Sequence, residues 1–170
     1  MVETCEKKVN GRSKCMANLQ KVAKPAVDKL LKKDEDQLYK ELGMRTKALA
    51  KDPLLMTRSF DLEVVYDMAA MGPMDDVRAL GQQLFKRWTV EANKLLCGTT
   101  AEDKEDRDKL RNSFGIDDVT VAAVLAALLV AQLGIPAAIA AVVAALIIKR
   151  FFHPTYEEFC KAWTKHLPDV

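Results

Sequence analysis

His153, Cys160 and His166 are the side chains whose types best suit nucleophilic or metal chemistry. An imidazole can take the proton of a thiol, and all three groups can ligate zinc. Their spacing argues against both. Cys160 and His166 stand six residues apart on one expected helix, a rotation of about 600°, so they point about 120° away from each other. The simpler reading is a core-facing Cys160 and two surface histidines.

Two charged runs come next. Glu102, Asp103, Glu105, Asp106 and Asp108 interleave with Lys104, Arg107, Lys109 and Arg111. Paired carboxylates do acid–base chemistry only where burial shifts their titration, and this pattern reads as a solvated helix face with pairs three and four apart. Lys21, Lys24, Lys29, Lys32 and Lys33 form a basic stripe without the arginines and interleaved aromatics that single-stranded nucleic acid requires. No Gly-rich phosphate loop, Gly-x-Ser-x-Gly or His-Glu-x-x-His occurs. The expectation is a protein that is not an enzyme, with no catalytic residue, metal, cofactor or small-molecule substrate, and no nucleic-acid partner.

Cys5, Cys15, Cys97 and Cys160 include no Cys-x-x-Cys pair, and the first fifteen residues are polar, without the apolar core of a secretory signal. Four free thiols in a reduced, cytoplasmic protein are expected from this. The net charge of +2 gives no global drive towards acidic partners. The charge is uneven, however. Residues 1–51 hold 13 Lys or Arg against 7 Asp or Glu, leaving 13 against 17 for the rest. The two halves could dock on each other or on a partner of opposite sign.

The elements that must position these residues read as helices. Residues 1–12 are polar and expected to be flexible, and residues 13–170 form a single helical domain. Met16, Leu19, Val22 and Ala23 share one face, Pro25 interrupts or restarts that helix, and Val27, Leu30 and Leu31 continue the stripe. A second run from Asp34 carries Leu38, Leu42, Ala48 and Leu49, is weakened by Gly43 and ends at Asp52-Pro53. Phe60 to Val64 alternates as a half-buried strand would, but a lone strand has no partner, so a helix over about Asp61 to Met71 is expected. Gly72-Pro73 breaks the chain. A long amphipathic helix runs from Met74 to Cys97 through Val77, Leu80, Leu84, Phe85, Trp88, Ala92, Leu95 and Leu96, with Gly98 as its cap. A charged helix spans Ala101 to Phe114, capped by Thr99 or Thr100. The last helix lies in 155–167, opened by Thr155 and Glu158 at capping-box spacing, with Tyr156, Phe159, Cys160, Trp163 and Leu167 on one face.

Between these lies the most constrained segment. Val119 to Ile148 contains 11 Ala, 6 Val, 5 Leu and 4 Ile, with no charge before Lys149. Its halves repeat: Val121 to Leu129 matches Ile139 to Ile147. Each half has a bulky ridge, Val121, Val124, Leu125 and Leu128, then Ile139, Val142, Val143 and Leu146. Each also has an alanine ridge, Ala123 and Ala127, then Ala137, Ala141 and Ala145. Alanines four apart let helix backbones approach closely. The expected structure is an αα-hairpin within 118–150, turning at Gly134 and Pro136 and entered through a cap at Asp117 or Asp118.

Each arm of about 15 residues gives roughly 22 Å of helix, short of the roughly 30 Å hydrocarbon core of a membrane. The first placement is therefore the centre of a bundle, under the amphipathic helices of 13–114 and 155–167; the second is a membrane, with Lys149-Arg150 on the cytoplasmic side. An apolar hairpin so sheathed resembles, in architecture alone, colicin-type pore formers and Bcl-2-like proteins.

The sequence thus predicts an all-α bundle of six or seven helices around the hairpin. Its leading expected function is a non-catalytic protein-interaction or adaptor module that binds an unidentified protein or itself. Trp88 and Trp163 are core anchors and candidate interface residues. The alternative is an effector that inserts the hairpin into a membrane.

Overall fold

The buried positions of the first helix set the architecture. Met16, Leu19, Ala23, Ala26, Val27 and Leu30 recur every three or four residues and are all at most 6% exposed, so one stripe faces inward. The computed structural model describes residues 11–57 and 59–169. Among them are eight α-helices and no strand: α1 (Gly11–Leu31), α2 (Glu35–Lys51), α3 (Met68–Met71), α4 (Met74–Cys97), α5 (Lys104–Ser113), α6 (Asp118–Leu133), α7 (Ala137–Phe151) and α8 (Tyr156–Lys165), with a 3-10 turn at Pro53–Thr57. The expected count of six or seven is exceeded by one short element, the single turn α3. Residues 1–10 of the expected flexible start lie outside the described residues, and α1 already begins at Gly11.

The apolar stretch forms the hairpin α6–α7 at the centre of this bundle. Val121 to Leu129 and Ala137 to Ile148 are buried without exception. α1 lies along both arms, α2 and α8 cover α7, and α5 covers α6. Asp117 caps α6 by accepting from the Thr120 backbone N–H at 2.6 Å. At the far end Gly134 adopts a left-handed conformation, φ 63°, and donates its N–H to Leu129 O, the geometry that glycine closes helices with. Pro136 then restarts the chain as α7.

Four local expectations are corrected. Pro25 lies inside a continuous α1. Pro25 and Lys21, whose carbonyl it deprives of a partner, are both exposed, so water can satisfy that group. Val22 is 46% exposed rather than on the core face. The helix expected over Asp61 to Met71 is extended from 61 to 67, and only α3 is helical. The alternation there has physical content: Phe60 and Leu62 are buried, Asp61, Glu63 and Val65 are exposed. Side-chain bonds replace the missing strand partner. Lys29 pairs with Asp61 at 2.5 Å, Tyr66 donates to Gly72 O at 2.7 Å, and Asp67 accepts from Ala69 N–H at 3.0 Å. Finally, α5 starts at Lys104 with Asp103 as N-cap, Thr100 bonding to the Asp103 carboxylate at 2.6 Å. Gly98 is the C-cap of α4, as expected, in an extended conformation with φ −74°.

Gly43 is explained by its neighbour rather than by its own helix. A Cβ there would stand 1.9 Å from Val77 O, and one on Gly81 would stand 2.0 Å from Tyr39 O. α2 and α4 therefore meet backbone to backbone. The expected result for Gly43→Ala is destabilisation by more than about 1 kcal/mol in urea denaturation, despite alanine's better helix propensity. Ala127→Leu or Ala141→Leu, at positions that are 0% exposed, should cost about 1–3 kcal/mol through overpacking. Unchanged midpoints in all three variants would remove the close packing described here.

Candidate functional site

Three features stand out around the hairpin: a polar clamp at its turn, a cross-linked cover over α7, and an apolar pocket beside the turn.

The clamp is built from α2. Arg45 occupies the stripe Leu38, Leu42, Arg45, Leu49, where spacing demands an apolar side chain, and its side chain is only 4% exposed. Its guanidinium donates through Nε to Glu41 at 2.8 Å and through Nη1 to Phe60 O at 3.0 Å and Ala138 O at 2.8 Å. One cation thus ties α2, the extended segment and the start of α7 together. Lys33 reaches the other Glu41 oxygen at 2.6 Å. Burial pushes the Glu41 carboxyl upward, but Lys33 and Arg45 outweigh it and hold the group below the usual carboxylate range.

A depressed carboxylate contributes stability that is present above its unfolded value, near 4.5, and lost as pH falls through its lower folded value. The fall of the urea midpoint below about pH 4.5 should therefore be shallower in Glu41→Gln than in the native chain. Arg45→Ala should cost about 3–5 kcal/mol, because it leaves a buried carboxylate short of a partner.

The cover is α8. Its aromatic face packs on the end of the hairpin: Phe151 stacks on Trp163 at 6.2 Å, and Phe159 lies 5.3 Å from Trp163 and 5.2 Å from Phe114. Trp163 donates its indole N–H to Thr89 at 2.8 Å, Asn93 donates to Thr164 at 3.2 Å, and Tyr156 donates to Leu96 O. Thr155 caps α8, accepting from Glu158 N–H at 3.3 Å. Cys97 and Cys160 form a disulfide between α4 and α8, and Cys15 is disulfide-bonded as well. The expectation of four free thiols is thereby overturned. Sequence spacing could not show that two cysteines 63 residues apart meet where α8 folds back on α4. Opening a loop of that length should lower stability by about 4 kcal/mol, measurable in urea as the difference between the native chain and Cys97→Ser/Cys160→Ser.

The pocket lies where α2, α4 and the start of α7 meet. Thr46, Leu49 and Ala50 form one wall, Leu84 and Trp88 the other, and Pro136 and Ile139 the floor. Its volume is about 290 Å³. Trp88 is partly exposed here, with the Arg87 guanidinium 5.2 Å above its ring, a cation–π arrangement. Lys47 and Lys51 follow the wall residues along α2, and neither they nor Arg87 make an ion pair among the described residues.

The residues singled out from sequence divide cleanly. Val121, Val124, Leu125, Leu128, Ile139, Val142, Val143 and Leu146 are all core, as are Ala123, Ala127, Ala137, Ala141 and Ala145. Trp163 is 0% exposed, whereas Trp88 is partly exposed. His153, Cys160 and His166 do not converge: Cys160 is in the disulfide, and His166 Nδ1 lies 2.8 Å from Ala162 O. No group of three metal-ligating side chains occurs among the described residues. The acidic run is not wholly solvated, since Asp106 is 2% exposed, with Lys109 at 3.8 Å. Sequence reasoning missed Arg45, and Thr46 and Ala50 of the pocket. The Arg45 signal was present, as a cation at a core position of a heptad-like stripe.

In comparison with known proteins, no family matches this chain, and no curated protein or solved structure matches it.

Proposed function

We propose that this chain is a non-catalytic interaction module whose hairpin is a rigid core and whose Trp88 pocket anchors another protein chain. The observation that carries the reading is the pocket itself. It is apolar, open to solvent, and walled by helices fixed against each other at Gly43 and Gly81. Partly exposed tryptophan in a preformed depression is the chemistry of interface hot spots. A volume of about 290 Å³ is at the low end for small-molecule sites and suits one or two inserted side chains. The disulfides support an oxidising compartment as the place of work.

Affinity capture with native and Trp88→Ala chains tests this. Circular dichroism establishes that both are folded. The expected result is a partner retained by the native chain and lost from Trp88→Ala; equal capture by both rejects the pocket as the anchor.

A second reading, membrane insertion, is favoured by one observation: Val119 to Ile148 carries no charge, so exchanging its helical cover for lipid would move no charged side chain of the hairpin into hydrocarbon. Among the described residues no single helix is long and apolar enough to cross a membrane; α7 and α8 together pass by length and composition but are bent by 95°. Flotation with liposomes and release of a trapped dye, measured before and after reduction, test it. Dye retention and absence from the floating fraction under both conditions remove this reading.

A further inference from the structure

The Cys97–Cys160 disulfide joins positions 63 residues apart, and the loop it closes contains α5 and both arms of the hairpin. It fastens α8, the cover over the end of that hairpin, to the end of α4. Both cysteines are partly exposed, and Thr99, Glu157 and Lys161 beside them in the chain are exposed, so a dissolved thiol can reach the sulfurs. The other attachments of α8 are of two kinds. Towards α4 they are hydrogen bonds, from Trp163 to Thr89, from Asn93 to Thr164 and from Tyr156 to Leu96 O, which water can replace at small net cost. Towards the hairpin they are ring contacts, Phe159 on Phe114 and Trp163 on Phe151. The Arg111–Glu157 pair at 3.3 Å adds little, because both side chains are at least half exposed. The link back to α7 is the short exposed run 152–155, where the two helices meet at 95°. α8 is thus a cover with a short hinge and one covalent fastening.

We propose that the Cys97–Cys160 disulfide is a redox-operated latch: a dithiol reductant opens it, and α8 then swings out about residues 152–155 and uncovers Phe114 and Phe151 at the end of the hairpin. A thiolate of the reductant attacks one sulfur, the S–S bond breaks, and the released cysteine takes a proton. The second thiol of the reductant attacks the mixed disulfide so formed. The reductant leaves as its own disulfide, and the other cysteine is released as a thiol. Two electrons and two protons pass to the protein. With the bond intact, Cys160 cannot part from the end of α4. Once it is cut, the opening of α8 is set against ring contacts and hydrogen bonds alone, while α1, α2 and α5 keep their own hold on the hairpin.

The latch makes no use of the Trp88 pocket, so either reading can fail while the other stands. Amide hydrogen exchange of the full chain, oxidised and after treatment with dithiothreitol, tests it. Loss of a loop constraint lowers the stability of the whole fold and speeds every helix alike, so the quantity to read is the ratio of α8 to α6 exchange. That ratio should rise by on the order of tenfold or more on reduction and fall again on re-oxidation. Cys97→Ser/Cys160→Ser, which leaves the disulfide of Cys15 in place, should show the raised ratio without reductant. In Trp88→Phe, where Trp163 is the sole indole, quenching by acrylamide should increase on reduction in step with it. An unchanged ratio, or loss of all the helices together, makes the disulfide a staple of the whole fold and overturns the proposal. A rise on reduction that Cys97→Ser/Cys160→Ser does not reproduce belongs to the Cys15 bond and overturns it too.

Discussion

Thirty consecutive residues without a charge must be kept from water on every side, and this requirement organises the rest of the chain. A helix with one apolar stripe can lie on a surface; one that is apolar all round needs neighbours on all its faces. The hairpin solves part of the problem by setting α6 against α7, where alanine ridges allow a close approach. The remaining faces need α1, α2, α5 and α8, and each of these supplies a single inward stripe. Alanine contributes little burial energy compared with the larger aliphatics. Much of the apolar area therefore comes from the cover: Met16 and Leu19 of α1, Leu38 and Leu42 of α2, Leu110 of α5, Phe159 and Trp163 of α8.

Such a core has few directional contacts, and the structure places them at its margins. Asp117 fixes one end of α6 and Gly134 the other. Arg45 reaches the turn from α2. At the opposite end Phe114, Phe159, Trp163 and Phe151 form a run of ring contacts, and the disulfide closes α8 on α4. The buried Arg45–Glu41 pair is weak grounds for stability in itself, since desolvation offsets much of its attraction. Its three acceptors lie on three different elements, so it defines a register that apolar packing leaves loose.

The fold was largely legible in the sequence because hydrophobic periodicity is local. The hairpin, its repeat, its turn and the long α4 all follow from spacings of three and four. What was not legible depends on neighbours distant in the chain. The 61–67 segment lacks a strand partner, and its sequence alone therefore points to a helix; the bond from Arg45 to Phe60 O just before it and side-chain bonds from Tyr66 and Asp67 supply what a second strand would. The cysteines gave no spacing signal, because their pairing is created by the return of α8. Trp88 and Trp163 looked alike on amphipathic stripes, and only the packing of α8 on α4 sends one into the core and leaves the other at the pocket. Thr46 and Ala50 of the pocket were hidden, since neither carries a signature in a helix.

The glycine crossing of α2 and α4 has a consequence for any guest of the pocket. Main chain rests on main chain there, with no rotamer able to swing and adjust the gap. The spacing of the two walls is thus set by peptide geometry, while the rim carries the Arg87 guanidinium over the Trp88 ring. A change at Arg87 can retune which molecule is admitted, and the spacing of the two helices will stay as it is.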